Sequence, residues 1–284
     1  MIEIALEHRG GLPMTRIAKL FEISRSALYR TASGDRDVDL RDEIYAITLD
    51  WPRYGYRTVS RELRRRGIVA NEKRVRRIMR EEGLLCRRRS ARGLPYRKHN
   101  FSTYPNLAKG FIPSEIDQLW VVDFTYVRLF GSFVFIAIVL DAFSRRCIGW
   151  ALATHFRTTL AAEAVNMAIR QRKPKSDVIH HSDRGGSYCS DDYLSILREH
   201  GMTISMSRAG TPSDNAICER FMRTLKDDEI RIRDYADFDD ARRSIAKFLN
   251  VTYNHKRLHS SLGYRPPAEF EAIPNEPTPT PIPA

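Results

Sequence analysis

The sequence predicts an α/β core on a mixed five-stranded sheet, three antiparallel strands first, preceded by all-α helix-turn-helix units. Three observations predict it. From residue 118 the chain reads QLWVVDFTYVRL, SFVFIAIVLD and RRCIGWALA, three strand-length apolar runs with short connections, as in an antiparallel meander. Strand-like DVIHHS (177–182) and MTISMS (202–207) then alternate with helix-like TTLAAEAVNMAIRQR (158–172) and YLSILREHG (193–201). Before residue 95 the apolar period is helical and the polar positions are heavily basic.

In chain order, LPMTRIAKLFEISRSALYRT (12–31) offers Thr15 and Ser24 as caps of two short helices, a compressed helix-turn-helix. LRDEIYAITLD places Leu40, Ile44 and Ile47 on one face, with Tyr45 a further candidate; Pro52 and Gly55 end it. TVSRELRRRG (58–67) turns Val59 and Leu63 inward and stops at Gly67. NEKRVRRIMREEGLL (71–85) starts at an Asn cap, buries Val75, Ile78 and Met79, and shows Arg74, Arg76, Arg77 and Arg80 outward, as a DNA-reading helix would. Residues 86–113 are basic, aperiodic and interleaved with Tyr96, Phe101 and Tyr104, a linker that orders on DNA. The expected units are 1–34 (small helix-turn-helix), 35–95 (basic helical domain), 96–116 (linker), 117–272 (core with C-terminal helices) and 273–284 (disordered Pro-rich tail).

Composition narrows the function class. Lys plus Arg number 47 against 35 Asp plus Glu, a net charge of +12 over 284 residues, which points to a polyanionic partner. No apolar stretch reaches the roughly 20 residues of a membrane span. The four cysteines are scattered without a C-x-x-C pair, which argues against a zinc knuckle and for the reducing cytoplasm.

Three acids stand at odd places. Asp123 interrupts an apolar strand, where a bare charge is costly. Asp183 closes a strand at HHSDRGGSY, and Glu219 lies inside a helix SDNAICERFMRTLK with Arg223 and Lys226 on its face; Ser213 and Asp214 are expected to cap that helix. If the strand before Asp183 pairs parallel beside the first, the two aspartates meet and the helix can lay Glu219 over them. Three such carboxylates repel without a cation. Mg²⁺ or Mn²⁺, as two ions, resolves this and suits an in-line displacement at phosphorus, with water or a DNA 3′-hydroxyl attacking. His180 and His181 flank Asp183 and read as core histidines before metal ligands. Asp141 reads as a turn-forming residue. Asn215 either shapes the site or caps the helix.

D-(59)-D-(35)-E with a basic residue seven positions after the Glu resembles the DDE transposases and retroviral integrases. WVVDFTYV, HHSDRGGSY, SDNAICERFMRTLK and YNHKRLHSSLGYRPPAEF (253–270) are similar to one branch, the catalytic subunit of insertion-sequence transposases encoded in two overlapping frames. YGYRTVSRELRRRG and KRVRRIMREEGLL resemble its helix-turn-helix segment. The resemblance implies an RNase H-like core, Asp123, Asp183 and Glu219 as metal ligands, and Lys226 on the terminal DNA. It also implies transposon-end and target DNA as partners, a small upstream-frame helix-turn-helix and coiled-coil protein, separate or fused, and a homo-oligomer on DNA. Arg257, His259 and Arg265 either bind DNA or tie the C-terminal segment to the core. Two other readings are a non-catalytic DNA-binding regulator on a decayed core and a nuclease acting on RNA–DNA hybrids.

Overall fold

The structure is a computed structural model that describes residues 37–85, 104–174, 177–208 and 211–273. The helix-turn-helix expected at 12–31, the basic run Arg87–Arg89 and the Pro-rich tail from 274 lie outside the described residues. The chain divides into two compact units, Met1–Cys86 and Arg87–Ala284. Among the described residues no helix is long and apolar enough to cross a membrane.

The first unit is three helices, α1 (Val38–Asp50), α2 (Tyr56–Arg65) and α3 (Glu72–Glu81). Leu40, Ile44, Ile47, Val59, Leu63, Val75, Ile78 and Met79 all bury, as their spacing requires. Tyr45 does not join them: it is exposed and donates its hydroxyl to Glu82. Asn71 caps α3 by accepting the Lys73 N–H at 2.8 Å. Gly67, at φ +82°, ends α2, and the Ile68 N–H returns to the Leu63 carbonyl.

The second unit is a five-stranded sheet of β1 (Leu119–Leu129), β2 (Ser132–Asp141), β3 (Cys147–Ala153), β4 (Ile179–Ser182) and β5 (Thr203–Met206), in the order β3-β2-β1-β4-β5. β1–β2 and β2–β3 are antiparallel; β1–β4 and β4–β5 are parallel. This is the RNase H-like arrangement that the resemblance implies. Helix α4 (Thr158–Arg172) leads into β4, and α5 (Asp191–Glu199) leads into β5. After β5 come α6 (Ala216–Leu225), α7 (Phe238–Lys247) and α8 (Pro267–Glu271).

Strand alternation splits the core in two. Leu119, Val121, Val127 and Leu129 of β1 pack with Cys218, Phe221, Met222 and Leu225 of α6 and with Ala241 and Ile245 of α7. Trp120 and Val122 point to the other face and pack with α4 and α5. There α4 presses close on β3: a Cβ on Gly149 would stand 2.2 Å from the Ala164 carbonyl oxygen.

Two expectations change here. The linker expected over 96–116 is partly structured, because Pro105 accepts the Met206 N–H and the Leu107 N–H donates to the Ser205 hydroxyl. These contacts cover the free edge of β5, which an uncovered edge strand requires. The C-terminal segment is tied down. α7 runs on as a π-helical stretch, Phe248–Lys256, whose Asn254 amide bonds both backbone groups of Cys147 at 3.0 and 2.8 Å. Arg257 pairs with Asp228 at 2.7 Å, His259 packs edge-on against buried Tyr253 and exchanges a backbone bridge with Arg265, and Glu271 pairs with Arg146 and Arg172. Arg257, His259 and Arg265 all take part in these structural contacts.

Gly149→Val would force α4 off the sheet. The expected loss is about 3 kcal/mol or more in urea unfolding, with reduced soluble yield. Unfolding within about 0.5 kcal/mol of wild type would contradict the close approach.

Candidate active site

Asp123 sits where the sheet forks. The β1–β4 register pairs Leu119 with Ile179, Trp120 with His180 and Val121 with His181. Carried two residues further, the same register would bring Asp123 opposite Asp183, whose charge acts on it. But β4 stops at Ser182, while β1 runs on to Leu129. Beyond Val121, β1 therefore has β2 on one side and no strand on the other. Its backbone groups on the open side need other partners. The Val122 carbonyl accepts the Asn215 Nδ2 at 3.0 Å, and the Phe124 N–H donates to Oδ1 of Asp123 itself at 2.8 Å.

Asp183 is held the same way at the end of β4: its Oδ1 accepts the Gly185 N–H at 2.8 Å. A Cβ on Gly185 would stand 2.9 Å from that oxygen, so the turn suits a residue without one. Each aspartate thus has one oxygen fixed by backbone.

Glu219 comes from α6, which covers the same face of β1 as Asp123. Asn215 fastens the start of that helix to Val122. The expected Asp214 cap does not form. Asp214 is drawn away by Arg208, which holds its carboxyl at about 2, and the helix begins at Ala216 after a 3₁₀ turn at Pro212–Asn215. Asn215 therefore shapes the site rather than capping the helix through its side chain. Glu219 and Arg223 are exposed, and Lys226, the first residue of a π-helical turn, is half-buried. Its Nζ lies 5.8 Å from the Tyr126 ring centroid.

The electrostatics join these groups. Burial pushes the Asp123 carboxyl up to about 7, and the charges of Asp183 and, more weakly, Glu219 push in the same direction. The Phe124 N–H and Lys226 oppose them. Burial raises Asp183 as well, against the Gly185 N–H. Burial lowers Lys226, against the pull of Asp123. Burial holds protons on both aspartates, and on Asp123 the neighbouring carboxylates add to it; a hard divalent cation on oxygen donors fits such a site. Among the described residues, no three His, Cys, Asp or Glu side chains stand close enough to hold one ion together. Asp183 is near enough for its charge to act on Asp123, and Glu219 acts on Asp123 more weakly.

The other candidates resolve into structure. His180 bonds the Tyr193 hydroxyl at 2.8 Å and burial pushes it down to about 3; His181 bonds Ser205 and Ser207 at 2.8 and 3.0 Å. Both are buried core residues. Asp141 is a turn hub, taking the N–H groups of Phe143, Ser144 and Asp117. Arg74 and Arg77 both close on Asp37: burial raises that carboxyl, and the two guanidinium bonds outweigh it and hold it below the usual range. Arg76 lies 5.4 Å over the Tyr56 ring, and Arg80 is exposed without an ion pair among the described residues.

Sequence reasoning passed over Tyr188. Its ring is buried, its hydroxyl has no hydrogen-bond partner among the described residues, and the charges of Asp123 and Asp183 both reach it. The signal was present in HHSDRGGSY, where it sits five residues after Asp183.

Asp123 gives a pH prediction. Its folded value near 7 lies above the ordinary 3.8, so the fold binds that proton more tightly than the unfolded chain does. The resulting stability is present at low pH and is lost as pH rises from about 4 through 7. Without divalent metal, Asp123→Asn should therefore stabilise the protein by about 2–4 kcal/mol at about pH 8 and have little effect near pH 4. Urea unfolding at the two pH values checks it; equal effects at both would contradict the burial of charge at the fork.

Residues 113–212 match a family model described as Integrase core domain, residues 200–267 match a second of the same description, and residues 35–92 match an HTH-like domain. The chain is 33% identical over 263 residues to the insertion element IS600 uncharacterized 31 kDa protein of Shigella sonnei, covering 89% of this chain and 97% of that one. It is 31% identical over 276 residues to transposase InsF for insertion sequence IS3A of Escherichia coli strain K12, covering 93% and 96%. A chain of the simian T-cell lymphotropic virus intasome aligns over 86% of this chain and 79% of that one, with TM-score 0.48 and 12% identity.

Proposed function

The chain belongs to the family of insertion-sequence transposases that includes InsF of IS3, and from that premise we propose that Asp123, Asp183 and Glu219 carry its DNA cleavage and strand transfer. The observation that supports the reading is the parallel β1–β4 pairing, which ends two residues before Asp123 and Asp183, together with the Asn215 bond that fastens the start of the Glu219 helix to β1.

In this reading Asp123 and Asp183 hold Mg²⁺ or Mn²⁺, as two ions, with Glu219 joining when DNA is bound. The bound metal would supply charge stabilisation at the reacting phosphate. The chain's own residues do the rest. The Phe124 and Gly185 N–H groups fix one oxygen of each aspartate, which orients the pair before substrate arrives. Lys226, close enough for Asp123 to feel its charge, meets a phosphate oxygen of the terminal DNA. Arg223, one turn nearer Glu219 on the exposed face, reaches the backbone further along. In the helical unit Arg76 and Arg80 contact DNA, whereas Arg74 and Arg77 are committed to Asp37. The partners proposed with this are the element ends and target DNA, a small upstream-frame helix-turn-helix and coiled-coil protein, separate or fused, and further copies of the chain on DNA.

Asp123→Asn, Asp183→Asn and Glu219→Gln should each lower Mg²⁺-dependent nicking and strand transfer on element-end DNA by at least about 10³-fold, with DNA affinity kept within a few-fold. Strand transfer by any purified variant at the wild-type rate would remove the assignment. Arg76→Ala and Arg80→Ala should weaken DNA binding and flatten its salt dependence by about one counterion each. Arg74→Ala and Arg77→Ala should instead lower the melting temperature. The reverse pattern would exchange the two pairs' roles.

A further inference from the structure

Beyond the carboxylates, the fork opens onto a row of aromatic side chains whose outer end neither the core nor the proposed chemistry uses. On the α4 face of the hairpin, β1 presents Phe124, Tyr126 and Arg128 in succession, and β2 sets Phe135 opposite Tyr126 and Phe133 opposite Arg128. The row starts at the site: the Tyr188 ring is 5.7 Å from Phe124, which is 4.0 Å from Phe156, itself 5.6 Å from Phe135. It ends in solvent. Tyr126 and Phe133 meet edge to face at 5.8 Å and remain 52% and 54% exposed. Elsewhere on this face α4 and α5 cover the sheet; here they do not. Two cations frame the exposed end, Lys226 over the Tyr126 ring and Arg128 on the same strand face.

We propose that Tyr126 and Phe133 form a stacking platform for unpaired bases of the DNA strand that leaves the reacting phosphate, with Lys226 and Arg128 on its backbone. A half-exposed aromatic pair beside positive charges, reached from the acidic fork, has the chemistry of a single-strand site: an exposed ring accepts any base face, and the cations track phosphates. A protein partner is less well matched, since the patch is narrow and framed on both sides by like charge. The proposal rests on the catalytic reading above for its position beside the phosphate.

The test measures binding of the full chain, without divalent metal, to a duplex of about 20 base pairs and to the same duplex carrying about six unpaired thymidines. Wild type should bind the tailed duplex about tenfold more tightly. Tyr126→Ala and Phe133→Ala should lose that preference with blunt-duplex affinity unchanged, and Tyr126→Trp should keep it. Melting temperatures equal to wild type confirm that the variants fold. Absence of a tail preference in wild type overturns the proposal, as does its survival in both alanine variants. So does a change of oligomeric state in the variants with tail preference intact, which would assign the face to a second copy. Asp123→Asn separates the two readings: loss of cleavage with tail preference retained supports both. A chain that never cuts DNA, yet loses its tail preference in Tyr126→Ala, keeps the platform and discards the catalytic assignment.

Discussion

The early stop of β4 is the constraint on which the rest of the site depends. Because β4 ends at Ser182 while β1 continues to Leu129, the sheet opens at Asp123. An acid inside a fully paired, apolar strand would be an expensive defect. At the opening it has a use, since its own carboxylate takes the Phe124 N–H that no strand can take. The Val122 carbonyl, left open by the same step, takes Asn215 and with it the start of α6. One shortened strand thus places an aspartate, frees the edge that a helix docks on, and puts the second aspartate at the end of the neighbouring strand. The carboxyl ends of parallel strands, at the point where connections leave in opposite directions, are where open α/β sheets bind their ligands.

The cost of this arrangement is visible in the proton affinities. Asp123, Asp183 and Lys226 are all shifted toward their neutral forms by burial, and the two aspartates repel. The scaffold around them compensates through packing on both sheet faces, with α4 seated against Gly149 and the C-terminal segment anchored by Asn254, Arg257 and Glu271. A rigid frame around an electrostatically unfavourable centre is what a site needs if it waits for a cation and a polyanion to complete it. The family supplies the reaction, and the fork supplies the reason why these positions rather than any others would perform it.

Much of this was legible in the residues. The strands announce themselves by β-branched and aromatic runs, the helices by apolar spacing, and the Asn71 cap by its chemistry. Even the parallel pairing of β1 with β4 followed from asking how Asp123 and Asp183 could meet. What escaped was set by contacts distant in sequence. Asp214 has the composition of a helix cap, yet it pairs with Arg208 and the helix starts at Ala216. Arg74 and Arg77 look like a DNA-facing row, and nothing local reveals that both also pair with Asp37, more than thirty residues earlier. The stretch after residue 103 has no period of its own because its order comes from the edge of β5. Tyr188 reads as an ordinary core aromatic until the fold brings it within reach of the charges of Asp123 and Asp183.

The central claim is that the two aspartates share one cation-binding place at the fork. Iron(II)-directed backbone cleavage tests it most directly: with Fe²⁺ replacing Mg²⁺, peroxide and ascorbate cut the chain where the ion sits. The account predicts paired cuts next to Asp123 and Asp183, suppressed together by excess Mg²⁺ and lost together in Asp183→Asn. Cuts at one aspartate without the other, or a pattern indifferent to Mg²⁺, would contradict it.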